Sequence, residues 1–175
     1  MSTVVVQDDQ DQAAGEAVVD ERANAEVVSD PEECYRRSVE LLVELGFPKG
    51  VLPLKDLVEC GRNRDTGYVW MKQKGPYEHY FEKSGTRVSY GTEVTAYVEK
   101  GKMKRMTGVK SRQMLLWVTI SEMSLEERPG GRNKIMFKTP LGLGKAFPAS
   151  AFMTEEEEME KEREKLLLEG SGGDN

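Results

Sequence analysis

A stretch rich in glycine and proline separates two kinds of sequence pattern in this chain. Residues 46–53 read GFPKGVLP, with two glycines and two prolines among eight residues. Proline lacks the amide donor that a helix needs, and glycine favours the left-handed conformation that ends one. Apolar residues before this stretch follow helical spacing, whereas the apolar runs after it are typical of strands. The sequence therefore predicts one helix followed by a mainly β domain.

The helix before this stretch has recognisable ends. Asp30 is the predicted N-cap, Pro31 the first helical residue, and Glu33 the residue that completes a capping box. Gly46 is expected in the left-handed conformation, with Phe47 as the apolar residue that follows it. An apolar stripe predicts that the helix packs against the β domain. Its members are Cys34, Tyr35, Val39, Leu41, Leu42 and Leu45.

Strand patterns and turn residues predict an antiparallel fold. The predicted strands are Leu57–Arg62, Tyr68–Gln73, 87–99, 102–110, 114–123 and 134–139. Residues 74–85 are interpreted as a loop with a partly buried aromatic anchor, and Gly91 as a bulge or kink in the long alternation that starts at residue 87. Residues 114–123 form a nearly unbroken apolar run, which predicts a central strand covered on both faces. We expect a single antiparallel β-barrel or curled sandwich over residues 30–153.

Charge is distributed unevenly along the chain. The net charge is −9 over residues 1–33, +9 over residues 34–153 and −6 over residues 154–175. Residues 1–29 contain no aromatic residue and are predicted to be a disordered acidic tail. Thr154 and Glu157 form a second capping-box pattern, which predicts an acidic helix followed by a flexible end. A basic domain is therefore expected between two acidic tails.

Targeting signals and cysteine usage limit where the protein works. The first residues lack a basic region, and no apolar run is long enough to span a bilayer, so a cytoplasmic protein is expected, with association at membrane surfaces left open. Cys34 and Cys60 are too few for a disulfide framework or a zinc site, and we interpret both as buried or half-buried thiols. No cofactor and no metal are expected. A monomer is expected.

Little in the sequence supports catalysis. A hydrolase needs a nucleophile, a base and an oxyanion hole, and there is no G-x-S-x-G motif. His79 is the single histidine, and in the strand region only Asp56 and Asp65 could orient it. His79 is therefore a weak catalytic candidate, and a half-buried ring stacked among neighbouring aromatic residues is the favoured interpretation.

A run of six cations is the main candidate for a binding site. Its members are Lys100, Lys102, Lys104, Arg105, Lys110 and Arg112. Lysines protect a hairpin edge from aggregation, which is one interpretation. The other is a surface for anionic headgroups, to which each cation near an acidic membrane adds about 1 kcal/mol. No motif for specific nucleic-acid recognition is present.

The apolar strand residues can serve the same site. A set of strand residues either holds an apolar tail between its side chains or fills the interior of the domain. They are Val94, Val98, Leu116, Val118 and Ile120. Taken together with the cations, they predict that the domain binds anionic amphiphiles such as acidic lipids. The acidic tails would oppose this binding, because they compete for the same positive surface.

Several motifs, taken in order, resemble the plant family catalogued as domain of unknown function 538. They are ELGFPKGVLPL, TGYVW, Val88 with Tyr90, EVTAYVEKGKM, TGVK and LLWVTISEM. The resemblance covers about residues 33–153. It implies a compact, barrel-like antiparallel structure with an added helix, sometimes likened to lipid-binding half-barrels of the bactericidal/permeability-increasing type.

The resemblance also carries functional expectations. It implies association with plant growth and stress responses, lipid or chlorophyll binding, and hydrolysis of chlorophyll esters, with no agreed catalytic motif to carry over. The sequence therefore predicts a non-catalytic binding module for anionic amphiphiles. A weak ester hydrolase acting on chlorophyll-like esters and a protein-interaction module are the alternatives.

Overall fold

A computed structural model describes residues 21–172 of the chain. The α-helices are α1 (Pro31–Leu45) and α2 (Glu155–Gly170), residues 21–23 are also helical, and 3-10 helices cover Pro129–Gly131 and Ala149–Phe152. The strands are β1 (Glu26–Val28), β2 (Leu57–Arg62), β3 (Tyr68–Gln73), β4 (Tyr77–Phe81), β5 (Thr86–Glu99), β6 (Lys102–Gln113), β7 (Leu116–Thr119), β8 (Glu122–Glu126), β9 (Lys134–Lys138) and β10 (Gly144–Pro148).

All ten strands of residues 21–172 belong to one antiparallel sheet, which confirms the prediction of a mainly β antiparallel fold. The hydrogen-bonded order is β1-β2-β3-β5-β6-β8-β9-β10, with β4 paired to β5 and β7 paired to β6. Each of the two long central strands pairs with two shorter strands along one edge: β5 with β3 and β4, and β6 with β7 and β8. The register between β5 and β6 is irregular between Tyr90 and Thr95, a stretch that contains Gly91, where the sequence predicts a bulge or kink.

The predicted barrel is wrong, because the described sheet is open, with β1 and β10 at the two ends of its path. The sheet nevertheless curls. Phe152 lies 5.0 Å from Phe81 of β4 and 5.3 Å from Phe137 of β9, measured between ring centroids. In a flat sheet these two strands would lie about 19 Å apart, since β5, β6 and β8 separate them. Side-chain packing rather than strand pairing therefore brings the two sides together.

Helix α1 begins and ends at the predicted residues, but the predicted capping box is wrong, because the Glu33 carboxylate pairs with Arg36 and Arg37. The Asp30 carboxylate accepts a hydrogen bond from the Glu33 N–H at 3.0 Å, and Gly46 has φ 91°. The buried residues of α1 are Cys34, Leu41, Leu42 and Leu45. Tyr35 is exposed, so its predicted place in the stripe is wrong. The helix packs against β2, and its last carbonyl, on Leu45, accepts a hydrogen bond from the Gly101 N–H.

The sheet begins earlier than the predicted boundary at residue 29. Residues 1–20 lie outside the described residues, but β1 pairs with β2, and the Tyr97 hydroxyl donates to the Glu21 carboxylate at 2.7 Å. The Arg22 guanidinium lies 5.0 Å from the centre of the Trp70 ring. A disordered tail over residues 21–28 is therefore wrong, because this segment covers the edge of β2 and the face of a large aromatic residue.

Two predicted elements in the second half also differ from the structure. The predicted loop at residues 74–85 is wrong, because these residues contain strand β4. Its alternation of inward and outward residues is short and lies between Gly75 and Gly85, which favoured a loop in the sequence pattern. Residues 114–123 do not form one covered strand. Met114 and Leu115 form the turn between β6 and β7, and the run continues through β7 into β8. An apolar run records hydrophobicity but not solvent exposure, so it cannot distinguish the two arrangements.

Helix α2 is acidic and contains no buried residue, as predicted. Its capping box is confirmed, with the Thr154 hydroxyl accepting from the Glu157 N–H. The Glu157 carboxylate also accepts from the Lys49 N–H at 2.8 Å, and Glu158 forms an ion pair with Lys83. These contacts tie the start of α2 to the domain. The glycine-rich end reaches residues 173–175, which lie outside the described residues.

The cysteines are free and buried, as predicted. Burial, together with the neighbouring Cys34, raises the pKa of the Cys60 thiol to about 12, so Cys60 stays protonated near neutral pH. Across residues 21–172, none of the helices has the length and hydropathy that crossing a membrane requires.

Replacing Gly61 with alanine should destabilise the fold. Gly61 of β2 lies directly opposite Trp70 of β3, and a Cβ at Gly61 would come 2.2 Å from the indole ring. Because Trp70 is buried, Gly61→Ala should lower the free energy of unfolding by about 1–3 kcal/mol, as measured by urea denaturation. Gly75→Ala is the control, since no heavy atom lies within 4 Å of its Cβ position. Equal stability of the two variants would contradict this packing.

Candidate functional site

A cavity of about 590 Å³ lies inside the curl of the sheet. This volume falls within the range of small-molecule sites, about 300–1,000 Å³. Strands β4 to β10 contribute to its walls, together with the 3-10 helix that carries Phe152. Its buried lining is largely apolar and includes Tyr90, Met106, Val109, Ile120, Met123 and Phe152. The interior therefore favours an apolar ligand or the apolar part of a larger one.

Aromatic residues shape one side of this cavity. Phe81, Phe137, Phe147 and Phe152 all line it, and the ring centroids of contacting pairs lie 5.0–6.2 Å apart. Tilted and edge-to-face pairs of this kind are favourable beyond the area they bury. The rings bridge the two sides of the sheet with rigid side chains and leave the space beside them open.

The exposed lining residues mark where the cavity opens. They lie in or directly beside three turns, between β4 and β5, between β6 and β7, and between β9 and β10. Gly85 represents the first turn, Gln113 and Met114 the second, and Leu143 and Gly144 the third. We call this opening the cavity mouth. All three turns lie at the same end of the sheet.

Arg112 and Lys145 are the charged residues among the described lining of the cavity, and both are cations. The Arg112 guanidinium lies 5.7 Å from the centre of the Trp117 ring, and its Nε–H donates to the Met114 carbonyl oxygen at 3.4 Å. The Lys145 ammonium lies 5.2 Å from the centre of the Phe147 ring. Within residues 21–172, no carboxylate forms an ion pair with either cation. The mouth is therefore positively charged and has capacity for an anion.

Polar groups of the lining add hydrogen-bonding capacity. The Thr139 hydroxyl is buried and has no hydrogen-bond partner among the described residues. Ser111 also lines the cavity and is buried. Burial raises the pKa of the Tyr90 phenol above its ordinary value, so this group stays a neutral phenol. Neutral donors therefore accompany the two cations.

The structure spreads the predicted run of six cations along β6 rather than forming one cluster. Its members from Lys102 to Arg112 occupy about 30 Å of extended strand. Lys102 lies 3.6 Å from the Glu122 carboxylate, Lys104 lies 2.8 Å from that of Glu99, and the Arg105 guanidinium lies 5.5 Å from the Tyr97 ring. Lys100 lies in the turn before β6 and Lys110 is exposed on β6. Arg112 is the member of the run that lines the cavity.

The predicted apolar set and the cavity overlap only in part. Val118 and Ile120 line the cavity, whereas Val94 and Val98 belong to the same hydrophobic core without lining the cavity, and Leu116 is exposed. Lys145 was missed by the sequence analysis. It reaches the mouth because β10 pairs with β9 in a register that sets Lys145 opposite Phe137. No local sequence signal reports this pairing.

A model of the family described as "Protein of unknown function, DUF538" matches residues 38–153. The chain belongs to this family. The resemblance inferred from the motifs is thereby confirmed. The DUF538 match includes every strand from β2 to β10 and every residue that lines the cavity. No curated protein and no solved structure matches the chain.

His79 lies on β4 of the DUF538 domain, beside aromatic residues. Its Nδ1 lies 3.1 Å from the Tyr77 hydroxyl, and its ring centroid lies 4.6 Å from that of Phe81. Burial lowers the pKa of His79. Among residues 21–172, no serine, cysteine or carboxylate forms a hydrogen bond with it, and no group of three His, Cys, Asp or Glu side chains could hold a metal ion. This surrounding supports a packed neutral ring, and the ester-hydrolase alternative stays a prediction.

Protonation of His79 should destabilise the DUF538 domain. The folded-state pKa is lower than the ordinary value of 6.5, so the unfolded state binds the proton first as the pH falls. The free energy of unfolding should therefore decrease as the pH falls through 6.5 and below, and His79→Gln should flatten this decrease. Urea denaturation at a series of pH values between about 7.5 and 5.5 measures both slopes. Equal slopes in the two proteins would contradict burial as the cause.

Proposed function

We propose that this protein is a non-catalytic binding module for single-chain anionic amphiphiles. The apolar chain of the ligand lies in the cavity, and its anionic head lies at the mouth beside Arg112 and Lys145. The observation that carries the proposal is the combination of an apolar interior with a mouth at which the charged lining residues are both cations. Neither half alone would favour an amphiphile.

The interior supports an apolar chain. Burial of apolar surface contributes about 25 cal/mol for each Å² removed from water, so an alkyl or prenyl chain gains free energy along the whole lining. Met106 and Met123 are part of this lining, and methionine side chains adapt to ligands of different shape. The cavity therefore favours flexible apolar chains over one rigid ligand.

The mouth supports an anionic head. The Arg112 guanidinium can donate two parallel hydrogen bonds to a carboxylate or a phosphate, and the Lys145 ammonium adds a second positive charge. The Thr139 hydroxyl, which lacks a partner among the described residues, can donate a further hydrogen bond. A neutral apolar molecule would leave these groups without a partner. A fatty acid or a phosphorylated chain would satisfy them.

Removal of the two mouth cations should weaken binding of the anionic ligand selectively. For Arg112→Gln combined with Lys145→Gln, we expect decanoate to bind about tenfold more weakly or worse, because charge-assisted hydrogen bonds contribute about 1.5–3 kcal/mol each. Decanol, which has no charge, should bind with nearly unchanged affinity. Displacement of a fluorescent fatty acid measures both ligands.

Two further variants identify the site. Lys102→Gln combined with Lys104→Gln removes the same charge from the far end of β6 and should leave decanoate binding unchanged. Val118→Trp places an indole in the cavity and should weaken both decanoate and decanol, with the fold checked by circular dichroism. If the variant at residues 102 and 104 loses binding as strongly as the mouth variant, the headgroup site is misplaced. Unchanged binding by folded Val118→Trp would rule out the cavity.

A further inference from the structure

Two turns at the cavity mouth expose large apolar side chains to solvent. In the β6–β7 turn and at the first residue of β7, Met114 is 95%, Leu115 85% and Leu116 71% exposed. In the β9–β10 turn, Leu141 is 89% and Leu143 70% exposed. We call residues 114–116 and 141–143 the apolar tips. Met114 and Leu143 also line the cavity, so both tips border the same opening.

The β6–β7 tip is an unusual turn sequence. Two-residue hairpin turns favour Asn-Gly or Asp-Gly, because these residues adopt positive φ with little strain. Here the turn residues are Met114 and Leu115, and Met114 has φ 55°. A bulky residue rarely adopts this conformation. The turn is therefore strained and also exposes apolar side chains to solvent. Neither feature is expected in a turn selected for stability in water.

We propose that the apolar tips insert into the surface of an acidic membrane and so place the cavity mouth against the lipid headgroups. This inference rests on the proposed function, because the membrane then supplies the amphiphile. A ligand could pass between the bilayer and the cavity without crossing water with its apolar chain exposed. The established match to the DUF538 family says nothing about such a surface.

The charges beside the tips complement an acidic lipid surface. Residues 100–121 and 139–153 contain no Asp or Glu, and they supply Lys110, Arg112 and Lys145 near the two tips. Trp117 is 37% exposed and carries Arg112 over its ring. Tryptophan and arginine both favour the membrane interface, where an apolar body and a polar end are satisfied together. The third turn at the mouth, between β4 and β5, carries both Glu82 and Lys83, and Lys83 forms an ion pair with Glu158. This turn therefore does not add to the positive charge.

The shape of the surface favours a membrane over a protein partner. A stable protein interface buries about 800 Å² on each partner as a continuous, well-packed patch. The two apolar tips come from different hairpins, and they present only three and two large exposed apolar side chains. A bilayer interface accepts separate projecting side chains, and nearby cations strengthen the attachment to anionic headgroups.

Binding of the full-length protein to vesicles tests this inference. The wild type should sediment with vesicles of phosphatidylcholine and phosphatidylserine more than with phosphatidylcholine alone, and added salt should weaken retention. Leu115→Gln combined with Leu141→Gln should weaken partitioning to the acidic vesicles by about tenfold or more, since two large apolar side chains are lost from the interface. Neither residue lines the cavity. In the wild type, Trp117 emission should shift to shorter wavelength on acidic vesicles.

A matched control comes from α2, where Leu167 and Leu168 are 69% and 75% exposed. Leu167→Gln combined with Leu168→Gln removes the same side chains from an acidic helix and should leave vesicle binding unchanged. The proposed docking of the apolar tips on a membrane is overturned if the wild type does not sediment with acidic vesicles. It is also overturned if the tip variant binds these vesicles like the wild type, or if the α2 variant loses binding equally.

A second readout separates this inference from the proposed function. The tip variant should still bind decanoate in solution, below the concentration at which decanoate forms micelles, because the cavity is intact. Retained vesicle binding by the tip variant, together with normal decanoate binding, overturns the docking surface alone. Loss of vesicle binding in the tip variant only, with no decanoate binding by any protein, supports the docking surface and contradicts the cavity proposal.

Discussion

The packing of Phe152 against Phe81 and Phe137 is the contact on which the shape of the domain depends. It joins strands that lie on opposite sides of the sheet centre, and it does so without strand pairing. A closed barrel would satisfy its edges by hydrogen bonds around the whole circumference. Here the closure relies on rigid rings at one place, so the curl keeps an open interior beside them. The cavity is a direct result of this form of closure.

The same arrangement explains why one end of β6 differs from the other. At the end that contains Lys102 and Lys104, neighbouring strands supply Glu122 and Glu99, which neutralise the cations. At the other end, β7 and the β9–β10 turn supply apolar and aromatic residues instead. Arg112 therefore lies beside an aromatic ring and an apolar opening, where its charge is available to a ligand. The two ends of β6 therefore differ in the availability of their charge because their neighbours in the sheet differ, although both ends carry cations.

Local signals predicted the parts of the fold that local interactions determine. The ends of α1 follow from Asp30 and Gly46, and the bounds of β2 and β3 were predicted to the residue, because capping and turn chemistry act over a few residues. The register irregularity between Tyr90 and Thr95 also lies where Gly91 marks the strand in the local sequence. These elements required no knowledge of which strands pair.

The candidate site depended on long-range pairing, and so much of it was missed. Residues 114–123 are apolar, and only the topology shows that their first part forms an exposed turn rather than a covered strand. Lys145 reaches the mouth through the register of β9 and β10. The segment that contains β1 was predicted to be disordered because it has no aromatic residue of its own. Its contacts, such as Arg22 on Trp70, are made with residues distant in the sequence. Arg112 was identified, but as one of six equivalent cations.

The most direct test of the central claim is a titration of methyl-labelled protein with decanoate, followed by NMR. Binding in the cavity predicts that the methyl resonances of Met106, Ile120 and Met123 shift together, with one affinity. The methyl group of Met71, which lies in a separate core cluster with Cys34 and Cys60, should not shift. Saturable binding without shifts at the three cavity methyl groups, or with equal shifts at Met71, would contradict a ligand site inside the curl of the sheet.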